Sequence, residues 1–471
     1  MIYGLSYSLG RLVNFLLITV YLTRVFADQK EYFSIYTEIY FFIALFLGML
    51  TLRMETTFFR FVSDEKFKNN IYPLAGQMVF IASAIFIILV FLCIVPIENF
   101  LQYPQLRSAI YYSAWIIVID VICSLPFSKL RFKKQALKYA WIKSSGLVLN
   151  IILVIAFLNY SNGDASEKLT LVILANLISS ALVLILLFEE IKESFVKADW
   201  SIARRILDYS FPLIIVTISF IFIQYGGTSI LKYFLPGSIL ENLDQSSQYN
   251  AAFRLAVIMN LFVTAFNYAA EPFFFRHVSQ ENSRQVFARV SLFYILSCSV
   301  IYLSTSLFID DVAILIAKNY RGELYLVKIL LLANIFTGLY ANISSWYKLS
   351  DRNYLMAGIS ISGLVIMITL NIFLVPVIGN SAAAYANLIS YFFICAVSYY
   401  QGQKHFPIPY PVFKMTAYLG FCILMVWLLP MLYTNYGFGF WAQHIMSFLI
   451  VVFFCVFVYI NEIIGWFKRD A

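Results

Sequence analysis

Four basic residues stand where a lipid-embedded segment should carry none. Arg11, Arg53, Lys143 and Arg254 lie in or at the ends of long apolar runs, as do the acids Glu38, Glu55, Asp120 and Glu271. A charge at the centre of a membrane helix costs on the order of 2.5–3.5 kcal/mol on insertion scales, so each normally faces a partner or a wet cavity. Tyr7, Arg11, Asn14 and Tyr21 follow i, i+4, i+7, i+14 and share one helical stripe. A basic stripe with hydroxyl and amide groups suits an anion in a hydrated path. The competing reading is that Arg11 snorkels toward the cytoplasm.

Glu38 and Arg254 are 216 residues apart and carry opposite charges. That spacing matters because Glu55-Thr-Thr-Phe-Phe-Arg60-Phe-Val-Ser-Asp-Glu65 returns, 216 residues later, as Glu271-Pro-Phe-Phe-Phe-Arg276-His-Val-Ser-Gln-Glu281. Ser145-Gly-Leu-Val148 returns as Ser362-Gly-Leu-Val365, 217 residues later. One large unit is therefore present twice, which in transporters places two lobes around a central path. Glu38 and Arg254 are expected either to pair across that path or to pair locally, each in its own lobe. Arg53 lies within about 60° of the Glu38 face, at 100° per residue, near the cytoplasmic mouth. Glu55 and Arg60, repeated as Glu271 and Arg276, read as parts that build each lobe, although Glu271 and Glu38 remain candidates for coupling or gating. Asn260, Thr264, Asn267 and Glu271 make a second polar stripe, facing the cavity or packing within its lobe. Asp120, six residues before Pro126, is a proton site, a cation ligand or a partner of Lys143.

Other chemistries find no support. The six cysteines all sit in apolar runs without a CxxC pair and read as free thiols in helix packing. The three histidines are scattered, so no metal site is expected, and no P-loop motif occurs. No cofactor is expected, and the net charge of +8 needs no nucleic-acid partner, because loop lysines and arginines account for it.

The elements that must hold these residues are membrane helices. The chain has 471 residues, 62% hydrophobic and only 12% charged, about half the charge of a soluble domain. Apolar runs of bilayer length fall at about 2–23, 33–52, 72–95, 109–126, 139–159, 169–188, 211–233, 251–274, 287–309, 325–346, 354–376, 380–400, 412–433 and 442–466. The fold class is all-α, with about fourteen transmembrane helices. The first run begins almost at Met1 without a basic leader or cleavage site, so it is expected to stay as a span. The longest polar connections, 189–210 and 235–250, are too short for domains. Counted over alternate connections, Lys and Arg divide 21 against 8, with Lys232 among the eight. The richer side is expected to be cytoplasmic, with both termini on it. Lys129–Lys138 belongs to this signal; anionic-lipid binding is its alternative reading. Six spans separate the repeated segments, so the lobes are related by a pseudo-two-fold along the membrane normal. They are expected at 1–200 and 201–406. The non-helical joint Pro407-Ile-Pro-Tyr-Pro411 sets off an appended helix pair at 407–471.

The chain resembles a known family at several places. Ile2-Tyr-Gly-Leu-Ser, Gly10-Arg11-Leu-Val-Asn14-Phe-Leu and Thr23-Arg-Val-Phe26 look like the first helix of Wzx-type polysaccharide-lipid flippases. Met54-Glu-Thr-Thr-Phe-Phe-Arg-Phe61 is similar to the end of their second helix. Tyr249-Asn-Ala-Ala-Phe-Arg254-Leu-Ala and Ala269-Ala-Glu-Pro-Phe-Phe-Phe275 resemble their eighth, and Ser345-Trp-Tyr-Lys-Leu349 and Tyr400-Gln-Gly-Gln-Lys404 with Pro407-Ile-Pro409 fit further along. The resemblance implies the multidrug/oligosaccharidyl-lipid/polysaccharide exporter (MOP) superfamily. It implies two six-helix lobes around a cavity, and transfer of an undecaprenyl-diphosphate-linked oligosaccharide to the outer leaflet of a bacterial inner membrane for surface polysaccharide such as O-antigen. Arg11, Arg53 and Arg254 would then hold the diphosphate. Tyr7, Asn14, Tyr21, Asn267 and Tyr268 would contact the glycan. Other polysaccharide-assembly membrane proteins are implied as partners. Family members usually carry a short, often basic stretch before Ile2-Tyr-Gly, which implies an upstream start or a weakly anchored amino end. A proton or sodium gradient, carried by Glu38, Asp120 or Glu271, or consumption of product outside would drive transfer. The alternatives are a drug/cation antiporter of the same fold, which the intramembrane arginines disfavour, and a membrane polymerase or glycosyltransferase, which the short external connections disfavour.

Overall fold

A computed structural model describes residues 17–62, 64–103, 105–277, 282–344, 347 and 352–464. Among these residues the regular secondary structure is all helical, with thirteen helices long and apolar enough to cross a membrane. Hydrocarbon offers no partner to a backbone N–H or C=O, so a spanning segment must satisfy them within itself. The described spans follow the expected runs closely. They are α1 (Lys30–Leu50) with α2 (Met54–Phe61), α3 (Ile71–Leu92), α5 (Arg107–Phe132), α6 (Ala136–Tyr160), α7 (Ala165–Leu186) and α8 (Ala203–Tyr225). After them come α10 (Ile239–His277), α11 (Ser283–Leu307), α12 (Tyr325–Ile343), α13 (Asn353–Ile378), α14 (Asn380–His405), α15 (Val412–Tyr436) and α16 (Phe440–Val458). Two short helices, α4 (Ile94–Leu101) and α9 (Gly227–Phe234), follow α3 and α8. The first expected span lies mostly outside the described residues.

One expected connection is helical instead. Residues 239–250 form the opening turns of α10. The Ser238 amide and hydroxyl both donate to Glu241 Oε2 at 2.8 Å, and the Glu241 amide reaches Ser238 Oγ at 3.4 Å, a reciprocal cap that starts the helix. Asn242, Ser246 and Asn250 are polar in sequence but buried, which is why hydropathy reads this segment as a loop.

The contacts divide the chain into two compact units. One comprises Met1–Asn250 and Arg352–Ala386; the other comprises Ala251–Asp351 and Asn387–Ala471. In the first, α7 packs on α5 and α6, and α8 packs on α1 and α13. Its core includes Ile119, Cys123, Phe127, Leu130, Tyr139, Ile142 and Leu187. In the second, α11 packs on α12, α15 and α16, and Ala270, Phe287, Ala288 and Ile408 form a buried cluster. Residues 407–411 are non-helical, as their prolines require. All six cysteines are free thiols; Cys93 and Cys455 are exposed and the other four buried.

Small residues let membrane helices approach closely. Gly146, in the repeated Ser-Gly-Leu-Val sequence, shows this: a Cβ there would lie 2.6 Å from Val183 Cγ2, and its carbonyl accepts the Ser179 hydroxyl at 2.5 Å. Gly146→Leu should force α6 and α7 apart at a cost of about 1–3 kcal/mol. A lowered thermal-unfolding midpoint of the purified protein checks it; an unchanged midpoint would count against close packing here.

Candidate functional site

The second span does not run straight through. It stops at Leu50, and Leu52 and Arg53 both adopt left-handed backbone at φ 48° and φ 52° before α2 begins. Each non-glycine residue held there costs of order 1–3 kcal/mol, so the surroundings must impose it. They do so through neighbouring groups. The Met54 amide bonds to Thr51 O at 2.9 Å, and the buried Thr57 hydroxyl donates to Arg53 O at 3.1 Å. The break places the half-buried Arg53 at the amino end of α2, where free N–H groups and the helix dipole favour negative charge. Arg53 Nη2 donates to Thr56 Oγ1 at 3.1 Å, whereas its Nε is buried without a hydrogen-bond partner among the described residues. Half-buried Arg254 on α10 has a buried Nε without a partner in the same way. Both guanidinium groups thus keep a donor in reserve.

The acids are treated differently. Glu55 Oε2 lies 3.4 Å from Arg131 Nη2, which also donates to Ser128 Oγ at 3.0 Å, so Glu55 ties α2 to α5. Arg60 is exposed. Asp120 accepts a hydrogen bond from Ser180 and sits beside the charge of Lys143, whose ammonium lies 4.2 Å from the Phe127 ring. Tyr21 donates to Asn159 Oδ1 at 3.0 Å. Asn267 is half-buried on α10, and Thr264 donates to Asn260 Oδ1 at 3.2 Å on the same stripe. Tyr7, Arg11 and Asn14 lie outside the described residues, as do the side chains of Tyr268, Glu271 and Arg276.

Glu38 has an ionic partner that the sequence reading did not consider. Lys232, counted there as a loop lysine, is fully buried at the end of α9, with its Nζ 3.2 Å from Glu38 Oε2. Neither the periodicity nor the 216-residue offset points to it. The local signal is a lysine set directly before Tyr233-Phe-Leu-Pro236. The ammonium also donates to Leu101 O and lies 4.5 Å and 5.0 Å from the Tyr103 and Tyr233 rings. The Tyr103 hydroxyl donates to Glu38 Oε2 at 2.9 Å. Burial pulls the Lys232 ammonium below its usual range while Glu38 pushes it back up. Burial first, and the Glu38 charge second, push Tyr103 up; Tyr233 is pushed up to about 12 by the same causes in the same order.

The basic stretch 129–138 is largely answered by acids. Lys129 pairs with Glu193, Lys133 lies 3.8 Å from it, and Lys138 meets Glu190 at 2.5 Å. The Lys129 hydrogen bond holds the Glu193 carboxyl below its usual range.

Comparison with known proteins supplies the context. Residues 1–278 match a family model described as "Polysaccharide biosynthesis protein". Among curated proteins, none matches the sequence. Among solved structures, a lipid II flippase MurJ in an inward closed conformation superposes with TM-score 0.69 at 15% identity, covering 98% of this chain and 99% of that one. A mutant of the Vibrio cholerae MATE transporter VcmN gives TM-score 0.59 at 16% identity over 86% of this chain and 94% of its own. An inward-facing multidrug resistance MATE family transporter of the MOP superfamily gives 0.59 at 14%, over 87% and 95%. At these identities the likeness is one of fold, shared with a lipid II flippase and with MATE family transporters.

Glu193 allows a test of the loop pairing. A carboxyl whose folded pKa is depressed contributes stability above its unfolded pKa and loses it as pH falls through the folded value. Glu193 is half exposed, so solvent screening keeps the effect below about 1 kcal/mol. Glu193→Gln should lower the unfolding midpoint at neutral pH and leave it unchanged at about pH 3. An equal loss at both pH values would mean that charge pairing is not the cause.

Proposed function

Because this chain belongs to the polysaccharide biosynthesis protein family and has a MOP-superfamily fold, we propose that it flips an undecaprenyl-diphosphate-linked oligosaccharide. Transfer runs from the cytoplasmic to the outer leaflet of a bacterial inner membrane, by alternating access of lobes 1–200 and 201–406, with 407–471 appended. The cargo serves surface polysaccharide assembly, O-antigen among the options.

One observation carries the reading: two guanidinium groups in membrane spans, Arg53 and Arg254, each keep a buried N–H without a partner among the described residues. A buried donor left unpaired costs roughly 1–3 kcal/mol, so a ligand with strong acceptor oxygens gains what the protein has not used. A diphosphate is such a ligand, and guanidinium groups bind phosphate oxygens well. A lipid II flippase among the similar structures supports a lipid cargo. For the lipid tail, an apolar groove of about 310 Å³ lies in the second unit, with Phe336, Phe392, Tyr399, Met415 and Leu419 on its walls. It includes residues of α15, the first helix of the appended pair. A cationic drug would need unclaimed carboxylates, but Glu38, Glu55 and Asp120 already face lysine, arginine or serine.

The test uses proteoliposomes loaded with a labelled diphospholipid-oligosaccharide and reads transfer between leaflets. Arg53→Ala and Arg254→Ala should each slow transfer about ten-fold or more, the value of one charged hydrogen bond. Transfer at the parental rate in both variants would remove the diphosphate role from these residues. Absence of transfer by the parent protein would remove the cargo.

A further inference from the structure

Glu38 is held within a ladder of polar contacts along one face of α1. Lys30, Ser34 and Glu38 follow at four-residue spacing and therefore share a stripe. Lys30 Nζ meets Asp244 Oδ2 at 3.0 Å. Ser34 Oγ accepts from Asn250 Nδ2 at 3.0 Å and from Ser246 Oγ at 3.2 Å. Asn250 in turn accepts the Thr228 hydroxyl at 2.5 Å. The third rung is Glu38–Lys232. Asn242 Nδ2 anchors that lysine's turn by donating to Lys232 O and Leu235 O, both at 2.9 Å.

Two features separate this ladder from ordinary packing. First, Ser34 and Asn250 are 216 residues apart, the repeat offset, and they touch. Positions equivalent under a two-fold rotation meet only at its axis, so under the proposed alternating access of lobes 1–200 and 201–406 the ladder, which lies within the first compact unit, would be where those lobes part. Second, the cluster is incomplete. Glu38 and Lys232 are both fully buried, yet Glu38 Oε1 has no hydrogen-bond partner among the described residues. A buried ion pair is a poor means of gaining stability and a half-satisfied one poorer still; a switch is the better-attested reason to keep such a pair.

The surroundings of Lys232 Nζ are those of a small cation site: a carboxylate oxygen, the Leu101 carbonyl and the faces of two tyrosine rings. We propose that Lys232 is a tethered counter-cation that fills this cage in place of a transported ion, and that the Glu38–Lys232 pair latches α1, α4 and α9 together. Glu38 is then a lock and not an ion carrier. The charged and titratable groups around it are Lys232, Tyr103, Tyr233, Lys30 and Asp244. This inference rests on the proposed orientation, in which the ladder lies at the outer ends of the helices, and on alternating access.

The experiment reads opening without any cargo, so its failure is separable from failure of the flippase reading. Ser247 is fully buried beside the ladder and hydrogen-bonds to none of its members. Ser247→Cys in the full chain, in native membranes, is labelled from outside with a membrane-impermeant maleimide, against the chain without that cysteine. Labelling should be slow in the parent and at least ten-fold faster in Glu38→Gln and Lys232→Met. Lys232→Arg and the exchanged pair Glu38→Lys with Lys232→Glu should label as slowly as the parent. Replacing choline by sodium outside should leave the parent's rate unchanged. Unchanged labelling in the single variants, an exchanged pair as fast as they are, or acceleration by sodium would each overturn the proposal. If the single variants fail to assemble by gel filtration while the exchanged pair assembles, the pair is a structural staple and the latch is equally refuted.

Discussion

Hydrocarbon gives no hydrogen bond back. Every polar group that this chain takes into the membrane must be answered by another part of the chain, by trapped water or by a ligand. The helices follow from that constraint, and so does the treatment of each departure from them. The break at Thr51–Arg53 persists because the Thr57 hydroxyl and the Met54 amide take up backbone carbonyls that the interrupted helix would otherwise leave bare.

The same constraint sorts the charged residues. Glu55 meets Arg131, Asp120 meets Ser180 beside Lys143, and the basic stretch 129–138 meets Glu190 and Glu193. These pairs join helices within the first unit, as the Glu38–Lys232 pair also does. Among the charged side chains of the described residues, Nε of Arg53, Arg131 and Arg254, Oε1 of Glu38 and Oε2 of Glu190 are buried without a hydrogen-bond partner; Arg131 and Glu190 already sit in the pairs just named. Buried groups left unpartnered lower stability, so they are the places where ligand or movement has something to gain. On the proposed reading the Arg53 and Arg254 donors suit an anion, and the Glu38 acceptor belongs to an ion pair that alternating access would break.

Glu38 shows why pairing is harder to anticipate than position. Its charge inside an apolar run is visible at once, and so is the equivalence with Arg254. Its ion-pair partner, Lys232, comes from a helix 194 residues away and matches no periodic or repeat relation. Residues 239–250 show the complementary error. A polar segment reads as a connection when hydropathy is the only guide, yet its buried Asn250 and Ser246 face Ser34 on a neighbouring helix. Polarity then records the company of other polar groups rather than of water.

Hydropathy placed the described spans within a few residues of their helices, except where α8 breaks into α9 and where α10 starts early, because partition into lipid is a local property of about twenty successive side chains. The duplication and the out-of-place charges were equally legible, being facts of order and type. Which carboxylate meets which cation, which guanidinium keeps a free donor, and where the second span breaks into left-handed backbone were settled only in three dimensions. Those outcomes depend on distances of about 3 Å between segments far apart in the chain, and on side chains competing for the same partner. No local pattern carries that information.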